Sequence, residues 1–208
     1  MIATIPCNKE LQVGANSNKI RKADYEVVEI SHAEGMALIR QHHYAQGGSR
    51  TCVYMHGLRR KADGAIVGAC MWLPPTRVAA ESVDRENWQR VLSLTRLVVL
   101  PDVPGNGASF LMAGSIRRIR REGKWKSLVT YADTFMGHSG AIYRATNWLY
   151  VGETRPTPRW EDADGRQVAP KSTVNRTKAE MEALGYRKVG SFKKHKFVMY
   201  LDGGRSTW

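Results

Sequence analysis

Leu92-Ser93-Leu94-Thr95-Arg96-Leu97-Val98-Val99-Leu100-Pro101 opens the stretch that decides the fold. The run is rich in leucine and β-branched residues and is closed by Pro101, which predicts a buried strand. Asp102-Val103-Pro104-Gly105-Asn106-Gly107-Ala108-Ser109 follows. Its glycines can take positive φ and let a ligand approach the backbone closely. Beyond it, Met112, Ile116 and Ile119 recur at helical spacing opposite Arg117, Arg118, Arg120 and Arg121, the mark of an amphipathic helix. Strand, glycine loop and helix N-terminus in this order make an anion site, because the first helical amides are free and the helix dipole favours negative charge. Residues 128–132 then read as a second strand and residues 140–148 as a second helix. The whole is a β-α-β-α unit with a phosphate cradle at its first turn.

The spacing rules out several alternatives. No G-x-x-x-x-G-K-[ST] occurs, so the loop is not a P-loop. G-N-G-A-S-F does not complete G-x-G-x-x-G, and no β-α-β start precedes it, which argues against a dinucleotide fold. Pro74-Pro75 stands in Leu73-Pro74-Pro75-Thr76, without the acidic or amide residue and the aromatic that an adenine methyltransferase motif requires.

Outward from the centre, residues 1–24 are polar and aperiodic and read as a flexible basic arm. Residues 25–208 read as one domain. Within it, residues 25–30 form a strand, and Ser31 with Glu34 makes a capping box for a helix over 33–41. Residues 53–59 and 65–73 are strands joined through Lys61-Ala62-Asp63-Gly64, a hairpin signal. Residues 81–90 are a short helix or loop. Residues 149–153 form a further strand, and 154–174, rich in Pro, Gly and charge, an inserted loop or hairpin. Residues 176–184 are a short helix stopped by Gly185, and 186–191 with 196–201 a closing strand pair. The order is β-α-β-β-β-α-β-α-β, then α-β-β.

The chain has 208 residues, 25% charged and 42% hydrophobic, as expected of a globular protein. No apolar run spans a bilayer and no secretory leader is visible, so neither a membrane partner nor export is expected. Cys7, Cys52 and Cys70 are widely spaced and odd in number, which predicts free thiols in a reducing compartment. The net charge of +13 predicts a polyanionic partner, most simply nucleic acid. That charge gathers at 59–61, at Arg117, Arg118, Arg120 and Arg121, and at Lys193 and Lys194.

Several residues carry candidate chemistry. Arg96 interrupts an apolar strand on the side of Leu94 and Val98; it is either paired structurally or a clamp on a phosphate or acyl carbonyl. Ser109 is an N-cap, a cofactor hydroxyl, or both. His43 and Tyr44 follow a helix end beside Gly47 and Gly48. His43 suits a general base or metal ligand, and Tyr44 suits stacking on a flipped base or proton transfer. Asp133 ends a strand, where it either caps the next helix or, with His43 and His138, holds a metal. Tyr143 lies on a helix and by itself reads as a core aromatic with its hydroxyl satisfied.

The element order, with its glycine loop after the fourth strand, resembles the GCN5-related N-acetyltransferase fold, a mixed, largely antiparallel central sheet with flanking helices. That likeness implies an acyl-coenzyme A donor held by Gly105, Asn106, Gly107, Ala108, Ser109 and Arg96, with Tyr143 protonating the departing thiolate. A closer resemblance is to the phage Mu DNA modification protein Mom family. It rests on H-H-Y at 42–44, S-x-T-R-L-V-V at 93–99, the loop at 105–110, Y-A-D at 131–133 and G-x-I-Y-x-A-x-N-W at 140–148. It implies conversion of adenine in DNA to N6-carbamoylmethyladenine, protecting phage DNA from restriction in the host cytoplasm. It also implies a metal, iron, and a catalytic set of His43, Tyr44, Arg96, Asp133 and Tyr143.

Such an enzyme must extrude its base from the duplex and grip the backbone, which the arginine helix and the C-terminal lysines suit. A plain acyl transfer leaves an amide on N6, whereas the family's product joins N6 to a methylene. The fold alone therefore does not explain the product: beside acetyl-coenzyme A or another acyl or aminoacyl donor, a metal, a second substrate or an amino-acid-derived donor is needed. Two other readings stand beside this one. They are a coenzyme A-dependent N-acetyltransferase acting on a protein or small amine, and a non-catalytic DNA-binding protein.

Overall fold

A computed structural model describes residues 19–168, 172–173 and 175–201. Strand β1 (Tyr25–Glu29) leads to helix α1 (His32–His42), whose N-terminus carries the Ser31–Glu34 capping box expected from sequence. The hairpin β2 (Tyr54–Arg60) and β3 (Ile66–Leu73) follows, then helix α2 (Arg77–Glu81). The central unit is β4 (Val91–Val99), α3 (Gly107–Glu122), β5 (Ser127–Asp133) and α4 (Ala141–Arg144). The chain closes with β6 (Leu149–Glu153), β7 (Thr157–Glu161), α5 (Lys178–Ala183), β8 (Arg187–Phe192) and β9 (Lys194–Tyr200).

Seven strands form one sheet in the order β1-β2-β3-β4-β5-β9-β6. Every pairing is antiparallel except β4 with β5. Central β3 is buried over Val67–Trp72 because both faces are covered. On one face Met36 and Ile39 of α1 pack with Ala69, Met71 and Val98. On the other, Leu111, Met112, Ile116 and Ile119 of α3 pack with Cys70 and Trp72. Alternate residues of one strand thus serve two helices, as the two-residue period of a strand requires. This mixed, mostly antiparallel sheet with flanking helices matches the expected fold class. Among the described residues no helix is long and apolar enough to cross a membrane.

Three expectations are corrected. The closing strands do not pair with each other: β9 inserts between β5 and β6, and β8 pairs with β7 in a separate two-stranded ribbon. The helix expected over 140–148 is one turn long. Thr146 turns its hydroxyl onto the Ile142 and Tyr143 carbonyls, and Asn147 takes a left-handed φ of 63°, so the chain leaves the helix there. Arg96 is not on the side of Leu94. Met71 pairs with Arg96 but Trp72 with Leu94, so Thr95 is an extra residue in β4. This bulge turns Leu94 toward α3, and Arg96 and Val98 toward α1. Most of the arm, 1–18, lies outside the described residues; Ile20 is buried, its amide donating to the Asn106 side chain at 2.7 Å.

Candidate active site

The site begins where the sheet opens. β4 and β5 pair in parallel from Val91↔Ser127 to Leu94↔Thr130 and no further, although both strands continue. The Thr130 hydroxyl donates to the Leu94 carbonyl at 3.1 Å and closes the crotch of this fork. Beyond it β4 follows β3, bent by the Thr95 bulge, while β5 follows β9. The backbone edges of two parallel strands thus face each other across a gap.

Side chains from four elements meet at the gap. Arg96 enters from β4; its Nε donates to the Gly47 carbonyl at 2.6 Å and its Nη1 to the Thr95 carbonyl at 2.7 Å. These bonds tie the loop after α1 to the sheet, and among the described residues Nη2 has no acceptor. His43 and Tyr44, in that loop, stack at 4.4 Å, and Tyr44 meets the edge of His138 at 5.4 Å. Asp133 ends β5, accepts the Phe135 amide at 3.1 Å and faces Lys194 Nζ at 3.9 Å. Tyr143 of α4 packs against Trp148 and Phe197, with its phenol beside Thr130 at the crotch.

Electrostatics set the protonation states. Burial raises the Tyr143 phenol, partly offset by Thr130, so it is a protonated donor at neutral pH. Although 44% of Tyr44 is exposed, burial and then the Asp133 carboxylate raise its phenol against the pull of Arg96. Burial, then Arg96 and His138, lower His43 to about 4, so it is neutral at pH 7.

The metal expectation does not match this arrangement. The His43 Nδ1 accepts the Ala45 amide at 3.1 Å, which puts the ring proton on Nε2 and leaves neither nitrogen free for a metal. Asp133 is held by Phe135 and faces Lys194, and among the described residues no three His, Cys, Asp or Glu side chains converge. The same tautomer removes His43 as a base; its ring instead supports Tyr44.

The anion cradle differs in detail from expectation. Neither Gly105 nor Gly107 has positive φ. A Cβ on Gly107 would lie 2.5 Å from Val103, so this glycine lets the loop pack on itself. The helix starts at Gly107 with Asn106 as N-cap, and Ser109 lies inside its first turn, donating to the Asn106 carbonyl at 2.9 Å. No side chain caps α3, because the Asn106 amide oxygen is taken by Ile20. The Gly107 and Phe110 amides reach the Pro104 and Asn106 carbonyls. Among the described residues, those of Ala108 and Ser109 are left at the open end. The helix end is roughly 10 Å along β4 from Arg96 at ordinary strand rise.

The basic residues divide into two regions. Arg117, Arg120 and Arg121 are exposed on α3, and Lys22, Lys61, Arg117 and Arg121 line one groove. Arg118 is half-buried and donates to the Val27 carbonyl at 2.7 Å, so it holds α3 to β1. A second groove, of about 680 Å³, adjoins it at Lys19, Arg21 and Arg60, away from the fork. Lys193 and Lys194 lie beside the fork, paired with Glu153 and Asp133. Arg159, which sequence reading passed over, lies 3.6 Å over the Phe135 ring. Its only signal was a Thr-Pro-Arg-Trp-Glu run of strand-like alternation inside a stretch that otherwise reads as loop.

Residues 24–205 match the model of the Mom protein family. Among curated proteins none matches the chain. Solved structures share the fold at low identity. An N-acetyltransferase from Staphylococcus aureus Mu50 superposes with a TM-score of 0.53 at 10% identity, covering 86% of this chain and 99% of that one. YncA of Salmonella typhimurium, solved with its cofactor acetyl-CoA, gives 0.52 at 10%, covering 89% and 98%. An aminoglycoside 6'-acetyltransferase type Ii gives 0.51 at 11%, covering 86% and 99%.

Proposed function

This chain belongs to the Mom protein family, and from that premise we propose that it is a DNA-modifying transferase that attaches a carbamoylmethyl group to N6 of adenine. The observation that carries the reading is the convergence of Tyr44, Arg96, Asp133 and Tyr143 on the β4–β5 fork. Adenine is a weak nucleophile held in a stack, so it must leave the duplex and lose a proton as N6 bonds to carbon. Tyr44, half exposed at the mouth, supplies a face for the extruded ring. Asp133 supplies an anion to receive the proton. Arg96 directs its remaining Nη2 toward the donor's carbonyl oxygen. The carbamoylmethyl product requires N6 to bond to a methylene beside that carbonyl, so the donor is one whose methylene carries the leaving group. Asp133 takes the N6 proton, the methylene–leaving-group bond breaks, and Tyr143, protonated at the crotch, gives its proton to the departing group.

The donor lies along β4, with its anionic end at the Ala108 and Ser109 amides. This supports an acyl-coenzyme A or a related acyl or aminoacyl carrier. No step is routed through iron, since His43 and Asp133 do not form a site for it. The exposed α3 arginines offer a surface for double-stranded DNA.

The test is nucleoside mass spectrometry on plasmid DNA from a bacterial host expressing the protein. Deoxyadenosine carrying a carbamoylmethyl group, absent with Arg96→Ala, is the expected result. Unmodified DNA from folded protein contradicts it. The shared fold favours a second reading, acetyl-coenzyme A-dependent acetylation of a protein or small amine. Acetylated amine with unmodified DNA would establish that reading instead. Salt-sensitive DNA binding with neither product would mark a binding protein.

A further inference from the structure

We propose that Arg159 binds a phosphodiester of the DNA strand next to the extruded adenine, making the β7–β8 ribbon the part of the molecule that seats the target strand at the fork. The proposal rests on the DNA-modification reading above.

Arg159 is a nearly buried cation that makes no hydrogen bond among the described residues. Its side chain is 14% exposed, and its Nε is buried with no acceptor. The nearest carboxylate oxygen, on Glu161, is 3.7 Å from Nε, and Glu161 also faces Arg187 at 3.6 Å. Arg96 and Arg118, by contrast, each donate to backbone carbonyls. Glu161 offsets the charge at long range but satisfies no N–H, so the guanidinium keeps hydrogen-bonding capacity for an acceptor that arrives from outside.

The fold holds this guanidinium in place. It lies over the Phe135 ring, which meets Phe192 edge to face at 4.7 Å. Gly190 stands opposite Arg159 in the ribbon, and a Cβ there would come within 2.8 Å of the Phe192 ring. Gly190 therefore makes room for Phe192, Phe192 supports Phe135, and Phe135 carries Arg159. A planar guanidinium offers paired N–H groups that match two oxygens of a phosphate.

Location selects the ligand. Phe135 belongs to the turn that leaves Asp133, and His138 in that turn touches Tyr44. The charge of Arg159 is also felt at the Tyr44 phenol. A base stacked on Tyr44 brings its own phosphates to this side of the fork. The donor's anionic end has a separate place at α3. Arg187 and Lys188 are exposed on the same ribbon, which suits a repeating polyanion more than a single carboxylate.

The experiment is a coupling cycle on binding, read by fluorescence anisotropy with the full chain. The probe is a short single-stranded oligodeoxynucleotide with one adenine. Two further probes carry a neutral methylphosphonate on either the 5′ or the 3′ side of that adenine. The wild-type protein is expected to lose about tenfold in affinity for one of the two neutral probes. Arg159→Gln is expected to bind the native probe about tenfold more weakly and to lose nothing more on that substitution. Losses that multiply independently, or a wild-type protein indifferent to both linkages, would overturn the proposal. Thermal melting checks that the ribbon is intact. If Arg159→Gln melts early, Arg159→Lys replaces it, keeping the charge but not the planar fork, with about half the discrimination expected. Independent losses with the lysine variant overturn the proposal equally. Folded protein that binds none of the probes removes the DNA-modification reading and this proposal together. DNA binding without coupling removes Arg159 alone.

Discussion

Tyr143 carries the sharpest residue-level consequence. Its ring belongs to the core with Trp148 and Phe197, whereas its hydroxyl belongs to the fork beside Thr130. Tyr143→Phe keeps the first and removes the second. Stability should fall by only about 1 kcal/mol, while DNA modification falls about a hundredfold if the phenol is the acid. Melting and nucleoside analysis on one preparation separate the two; unchanged modification would take Tyr143 out of the chemistry. At this scale the sequence was informative about identity and weak about role. Tyr44, Arg96, Asp133 and Tyr143 were singled out by residue chemistry together with the family resemblance, and the fold brings them to one place. That His43 accepts an amide at Nδ1, or that Arg159 lacks an acceptor, depends on contacts with no sequence signature.

Among the elements, α4 shows how a weak helix can still place a side chain. Gly140 caps it with φ at 76°, a conformation costly for any residue with a Cβ. A Cβ there would also lie 2.3 Å from the Phe197 ring. Gly140→Ala should therefore destabilise by roughly 2–4 kcal/mol from strain and overpacking together. Because Tyr143 is carried by this one turn, modification should fall further than in Tyr143→Phe. A melting temperature equal to wild type would contradict the packing. The regular elements were legible because burial imposes period on them, as in β3 and α3. The Thr95 bulge was not, since a β-branched residue inside a leucine- and valine-rich run looks like any other strand residue. The partners of β8 and β9 were hidden for another reason. Adjacent strands usually pair, and nothing local announces that β9 runs between β5 and β6 while β8 turns away to β7.

On the scale of the molecule, one buried and one half-buried imidazole tie stability to pH. His56, whose Nδ1 lies 2.7 Å from the Ser115 hydroxyl under α3, is lowered to about 4 by burial and then by Arg118. His43 is lowered to about 4 as well. In the unfolded chain both return to about 6.5. Between these values the unfolded state binds more protons, so stability rises with pH there. The contribution is complete above about 6.5 and is lost as pH falls toward about 4, on the order of 3 kcal/mol for fully buried His56. Melting scans should be flat near neutrality and fall through this window, with a shallower fall in His56→Asn. An equal slope in that variant would place the titration elsewhere.

The basic surface is also a property of the whole chain. The α3 arginines and their groove lie over the β1–β4 side of the sheet, whereas the β7–β8 ribbon and Lys193 lie beside the fork. On the proposed function, the first region grips duplex DNA and the second receives the extruded adenine. Photocrosslinking with an oligonucleotide bearing one photoreactive adenine, mapped by peptide mass spectrometry, tests that division directly. Adducts are expected on Tyr44 or on the peptide containing His138 and Tyr143. Adducts confined to α3 or to the groove at Lys61 would contradict it, because the reactive base would then never reach the fork.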